Sequence, residues 1–224
     1  MKKILSVAFA LTILSITALS AQNNKKFFIT VQGGPGFSVN ENGQTYFDNG
    51  QALDLVKLQG AASLGYYFTP RYGVRLYGEY SKNASGRNVQ ETMAWDKIWP
   101  YTFNSGIGFA DFIINGGDVS AAKAFNWRPY FGIGAAYTFG FDNLGKVHPW
   151  QDAMITKKNF CYAFRYGVIL EYIFGNTFGI FVDGSHEWFS DNYNGMAPKS
   201  ENGEALGFPF DMKLNASLGI AIHF

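Results

Sequence analysis

Large apolar residues alternate with small or polar ones along most of this chain, and that spacing leaves few folds open. From Asp211 to the end, Met212, Leu214, Ala216, Leu218, Ile220, Ile222 and Phe224 alternate with Asp211, Lys213, Asn215, Ser217, Gly219, Ala221 and His223. A period of two belongs to a strand whose faces meet different surroundings. Segment 160–174 sets Phe160, Tyr162, Phe164, Tyr166, Val168, Leu170, Tyr172 and Phe174 against Cys161, Ala163, Arg165, Gly167, Ile169, Glu171 and Ile173. Within 128–141, Phe131, Ile133, Ala135, Tyr137, Phe139 and Phe141 oppose Gly132, Gly134, Ala136, Thr138 and Gly140. The same spacing predicts strands at 27–37, 53–68, 71–81, 101–114 and 177–189, which makes eight in all. Over 101–114, Ile107 and Phe109 share a face with Asp111 while Phe112 and Ile114 change parity, so a bulge or an early strand end is expected near Asp111.

The start of the chain reads as an address. Met1-Lys2-Lys3 is basic, Ile4 to Ala18 is almost wholly apolar, and Ala18-Leu19-Ser20-Ala21 supplies small residues before Gln22. This predicts a secretory signal peptide over 1–21, cleaved after Ala21 or after Ser20, and a mature domain over 22–224. Losing Lys2 and Lys3 takes the net charge from +1 to −1, a balance that excludes a basic nucleic-acid surface. The later sequence contains no apolar run long enough for a membrane helix, so any membrane crossing falls to strands.

Connection lengths give the topology. Between the predicted strands lie 38–52, 69–70, 82–100, 115–127, 142–159, 175–176 and 190–210. Long and short alternate, except that 115–127 is longer than the other even-numbered turns. An up-and-down meander gathers odd-numbered connections at one rim, the asymmetry of an outer-membrane barrel. The predicted fold is all-β, an eight-stranded antiparallel up-and-down transmembrane β-barrel. Sidedness follows from volume. A lumen of eight strands is just wide enough for side chains to fill, so the bulky rows are expected to face lipid and the small row to face inward. Strands of about 11 residues at about 3.3 Å each, tilted near 40°, span the roughly 25 Å apolar band of such barrels.

Aromatic residues reach 18% of the chain against 16% for charged ones. Two interfacial rings are expected: Phe27, Tyr66, Phe68, Tyr72, Phe174, Phe178 and Phe224 near the short turns, and Phe37, Tyr80, Trp99, Tyr101, Phe103, Phe141, Phe160 and Trp188 near the loops.

The eight-strand pattern, the last strand Lys213-Leu214-Asn215-Ala216-Ser217-Leu218-Gly219-Ile220-Ala221-Ile222-His223-Phe224, and Arg128-Pro129-Tyr130-Phe131-Gly132-Ile133-Gly134-Ala135-Ala136-Tyr137 together resemble the OmpA/OmpX-type outer-membrane β-barrel family. The resemblance covers the predicted mature chain. It implies an integral outer-membrane location with both termini periplasmic, lipid and lipopolysaccharide as surroundings, and a monomer. It also implies that barrel-assembly machinery reads Ile220, Ile222 and Phe224. The chain stops at Phe224, so the peptidoglycan-binding domain of a full OmpA, and with it cell-wall tethering, is not implied.

Function is sought inside the barrel and on its loops. Lys57, Arg75, Glu79, Arg165, Glu171, Asp183, Glu187 and Lys213 are expected to face inward and pair across the lumen, because single buried charges are very costly. The expected result is a closed polar core; a narrow ion or small-solute path is the alternative, and a lipid-modifying enzyme a third reading. No catalytic residue is assigned: Ser185 and His186 are adjacent in a strand and point to opposite faces, whereas a nucleophile and its base should share one. His148 and His223 lie too far apart for a three-His metal site, a lone cysteine makes no disulfide, and Cys161 reads as a small lumen residue. No cofactor is expected. The long loops, with stretches such as Ser190-Asp191-Asn192-Tyr193-Asn194-Gly195 and Met93-Ala94-Trp95-Asp96, are where an extracellular ligand could be met.

Overall fold

The computed structural model describes residues 26–39, 52–91, 94–117, 123–142, 155–175, 177–190, 192–195 and 210–224; the segment 1–21 expected as a signal peptide and His148 lie outside them. Eight strands follow one another in hydrogen-bonded order and close into a barrel. They are β1 (Phe27–Val39), β2 (Val56–Tyr67), β3 (Tyr72–Glu91), β4 (Ala94–Ile114), β5 (Lys123–Asp142), β6 (Asn159–Phe174), β7 (Phe178–Ser190) and β8 (Phe210–His223). Every pairing is antiparallel. The seam joins β1 to β8 from Phe28 opposite His223 to Val39 opposite Met212. Beyond it, Phe224 N donates to Phe27 O at 2.8 Å. Closure gives each strand two hydrogen-bonded neighbours along the barrel wall, the arrangement that removes free sheet edges.

Alternation sorts the side chains as the spacing predicts on most strands. On β6, Phe160, Tyr162, Phe164, Tyr166, Val168, Leu170, Tyr172 and Phe174 are exposed, while Cys161, Ala163, Arg165, Ile169, Glu171 and Ile173 are buried. On β8, Leu214, Leu218 and Ile220 point out, with Asp211, Lys213, Asn215 and Ser217 in.

β4 departs from the expectation. Its register against β3 runs unbroken from Tyr72 opposite Ile114 to Val89 opposite Lys97, with no bulge and no strand end at Asp111. Tyr101, Phe103, Ile107, Phe109 and Ile113 therefore face inward with Asp111, and the outward row runs through Asn104, Gly106, Gly108 and Ala110 to Phe112 and Ile114. A shift of one residue would turn the whole row over and set the Asp111 carboxylate in the apolar surroundings of the outer face. Keeping that charge inside outweighs the bulk carried in with it.

The irregularity lies further along. Thr102 pairs with Asp142 but Asn104 pairs with Phe139, which leaves one extra residue on β5. Gly140, at φ +63°, takes the left-handed conformation that such a bulge needs and that a side chain would resist. The parity change turns Phe141 inward, where it stacks on Phe103 at 5.1 Å and 11°. Tyr101, Phe103 and Phe141 thus leave the expected loop-side ring and fill the barrel mouth. Phe224 is buried rather than exposed, and the side chain of Trp99 lies outside those described.

The second long loop is also revised. Residues 82–91 and 94–100, expected as loop, continue β3 and β4 as a hairpin joined through 92–93. Similarly, β5 begins at Lys123, which shortens the connection expected over 115–127 to 115–122.

Candidate functional site

The inward rows bring the charged residues of five strands into one layer. Asp111 on β4 sits between two guanidinium groups. Arg75 Nε donates to its Oδ2 at 2.6 Å, and Arg165 donates from Nε to Oδ1 at 2.9 Å and from Nη2 to Oδ2 at 2.6 Å. This bidentate fork is the strongest geometry that a carboxylate and an arginine can share. Gly132 on the neighbouring strand makes room for it: a Cβ there would meet Asp111 Oδ1 at 2.2 Å.

From this centre the network spreads both ways. Arg75 Nη1 lies 3.6 Å from Asp183 Oδ2, and Asp183 also accepts from Tyr130 OH at 2.7 Å and Gln32 Nε2 at 3.1 Å. Arg165 Nη1 donates to Glu187 Oε1 at 3.4 Å. Lys213 Nζ lies 4.0 Å from Glu187 Oε2 and donates to Glu79 Oε1, to Gln59 Oε1 at 2.8 Å and to Ser81 Oγ at 3.1 Å. Tyr77 OH caps Glu79 Oε2 at 2.9 Å. Both guanidiniums also lie over aromatic faces: Arg165 Cζ is 3.6 Å from the Tyr77 ring centre and Arg75 Cζ 4.3 Å from that of Tyr130. Such stacking stabilises a desolvated cation without adding charge.

Six of the eight residues singled out from the sequence meet here: Arg75, Glu79, Arg165, Asp183, Glu187 and Lys213. Glu171 does not. It lies toward the short turns, paired with Arg128 and with His223 Nε2 at 3.0 Å, while Arg128 Nη1 donates to Tyr67 OH at 3.0 Å. Lys57 joins neither group. It stands at the start of β2, where its Nζ folds back to donate to Asp54 O at 2.7 Å in the 3-10 turn Ala52–Leu55. The sequence reading missed Asp111, which it treated as a break in the pattern, and Arg128, whose even-numbered parity with Gly132 already placed it inside.

Toward the loop rim the filling becomes aromatic. Tyr101, Phe103, Ile107, Phe109, Cys161, Phe189 and Tyr193 form one buried cluster. Ser185 and His186 stay apart: Ser185 Oγ accepts from Asn215 Nδ2 at 3.2 Å, whereas His186 Nδ1 and Tyr166 OH are 2.8 Å apart on the outer side. Among the described residues no His, Cys, Asp and Glu group has the arrangement of a metal site.

No protein-family model and no curated relative matches the chain. Solved structures do. A major outer membrane protein of Thermus thermophilus superposes with a TM-score of 0.51 at 13% identity, over 88% of this chain and 99% of that one. The N-terminal barrel domain of Pseudomonas aeruginosa OprF gives 0.43 at 13%, over 90% and 100%, and the neisserial surface protein NspA 0.45 at 9%, over 88% and 97%. The chain has the fold of the eight-stranded outer-membrane β-barrels of the OmpA/OmpX type.

Proposed function

We propose that this protein is an integral outer-membrane barrel with a structural and surface-interaction role, its lumen closed by the polar network and both termini on the periplasmic side. The observation that carries this reading is the inverted distribution of polarity. Ile133 and Tyr162 are 74% exposed and Leu76 66%, whereas Lys213 and Glu187 are 0% exposed. In water the exposed apolar belt would be an aggregation surface; in a bilayer it is the lipid face. The buried charges pair with one another instead of lining an open path, which favours a plug over a channel. Outer-membrane lipid and lipopolysaccharide would then surround the belt, and the last strand, with Ile220, Ile222 and Phe224, would be the part engaged by the assembly machinery. Any extracellular ligand would be met at the long-loop rim.

Two measurements test this. Protein extracted from outer membranes should run at different gel mobilities before and after boiling, as a closed detergent-resistant barrel does. In planar bilayers it should show negligible steady conductance. A mature chain that stays dispersed in water without detergent would overturn the membrane assignment, and large reproducible openings would overturn the plug.

A further inference from the structure

A short segment after β7 turns back into the barrel mouth. Tyr193 is 1% exposed. Its ring stacks on Phe189 at 3.8 Å and 9° and meets Phe103 edge-on at 5.4 Å and 80°, and its hydroxyl lies 2.8 Å from Ser105 Oγ. Three different parts of the barrel hold the backbone around it. Tyr101 OH on β4 donates to Asn194 O at 2.8 Å, Asn194 N donates to Asp211 Oδ2 on β8 at 3.2 Å, and Thr156 N before β6 donates to Gly195 O at 2.8 Å. The turn itself needs two left-handed residues, Asn192 at φ 94° and Gly195 at φ 81°. Asn192 is not glycine, so the bend stores strain that the Tyr193 contacts must offset.

We propose that residues 192–195 are a latch: Tyr193 occupies an aromatic socket of Phe103 and Phe189, with Phe141 stacked on Phe103, and locks the loop-rim mouth shut above the charged layer, to which it is joined through Ser105, Ser81 and Lys213. The two barriers differ in kind. The charged layer is built wholly from strand residues, whereas the latch belongs to the connection between β7 and β8. Each ring contact or hydrogen bond contributes about three- to ten-fold to the closed state. Opening would leave the layer around Asp111 in place while exposing the vestibule above it. That the vestibule faces the cell exterior rests on the orientation proposed above; the latch itself does not.

The chain's single cysteine reports on the latch. Cys161 is 0% exposed and belongs to the same buried cluster as Tyr193, so reagent should reach its thiol once the socket empties. The experiment measures the rate at which a membrane-impermeant maleimide modifies Cys161 in the folded, detergent-extracted protein. Heat-modifiable mobility serves as the check that each variant is a closed barrel. Tyr193→Ala should raise the rate about ten-fold or more, and Tyr193→Phe, which keeps the ring, should stay within about three-fold of the parent. Gly195→Ala reaches the same end by another route: a Cβ there would meet Phe141 Cε1 and Thr156 O at 2.8 Å each, so the strap cannot seat although Tyr193 is intact. A closed Tyr193→Ala barrel labelling less than about ten-fold faster overturns the latch, and Gly195→Ala decides by the same threshold if Tyr193→Ala does not fold. Repeating the labelling on intact cells separates the two claims: a variant that labels in detergent but not on cells leaves the latch standing and overturns the orientation.

Discussion

The middle of this lumen and its mouth are both buried, yet they are filled by opposite chemistries. Around Asp111 the space is taken by Arg75, Arg165, Asp183, Glu187, Glu79 and Lys213, each aimed at named partners. At the mouth it is taken by Tyr101, Phe103, Phe141, Phe189 and Tyr193, which touch ring to ring. A charged layer tolerates one arrangement, because each displaced group strands its partner; an aromatic layer tolerates many, because what it supplies is volume. The middle layer should therefore set strand register, and the mouth should be the part that can move.

Replacing the hub of the charged layer gives the largest expected effect. Asp111→Asn keeps the shape but leaves two buried guanidiniums facing a neutral amide. The expected loss is about 3–5 kcal/mol of barrel stability, read as an earlier midpoint for urea unfolding from lipid vesicles. A loss below about 1 kcal/mol would mean that water reaches this layer and that the middle is no drier than a surface ion pair.

Removing volume from the mouth should cost less. Phe189→Ala empties a fully buried ring position beside Tyr193 and should destabilise by about 3 kcal/mol, the low end for such truncations, since a mobile cap can partly collapse onto the space. Slow unfolding limbs should distinguish the two variants. If Phe189→Ala proved as damaging as Asp111→Asn, the mouth would be as rigid as the middle.

Glu187→Gln makes the same change in formal charge as Asp111→Asn at a different node. Arg75, Arg165 and Lys213 are three cations facing four acids, Glu79, Asp111, Asp183 and Glu187. Glu187 holds its cations loosely, at 3.4 and 4.0 Å. Neutralising it brings the layer to balance, so stability should change by about 1 kcal/mol or less. A loss matching that of Asp111→Asn would show that total charge, and not the geometry at Asp111, governs the layer.

How far the sequence could reveal all this depended on whether one face or two decided a strand. On β6 and β8 bulk and polarity agree, so alternation alone gave the inward rows with Arg165 and Lys213 in them. On β4 they conflict: bulk argues for Ile107 and Phe109 outside, charge for Asp111 inside, and only one can hold in a continuous ladder. Nothing local says which. The answer lies in Arg75 and Arg165, 36 and 54 residues away along the chain. The bulge at Gly140 was hidden for a similar reason, since a glycine in a glycine-rich inward row carries no mark of its positive φ. Tyr193, in a stretch that reads as solvated turn, was legible only as an aromatic among asparagines.

Lys57 supplies the smallest expected effect and the cleanest control on that lesson. Its parity is that of Gln59, which does reach the network, and parity alone groups it with the lumen charges. Yet it stands one residue into β2, where the wall gives way to the 3-10 turn and an ammonium can bend back to Asp54 O. Truncating it removes one exposed hydrogen bond. Lys57→Ala should therefore leave the unfolding midpoint within about 0.5 kcal/mol of the parent, while Lys213→Ala, which abandons Glu79 and Gln59, should not. Equal losses from the two lysines would mean that the polar layer reaches the top of β2, and that parity by itself is enough to place a charge in this barrel.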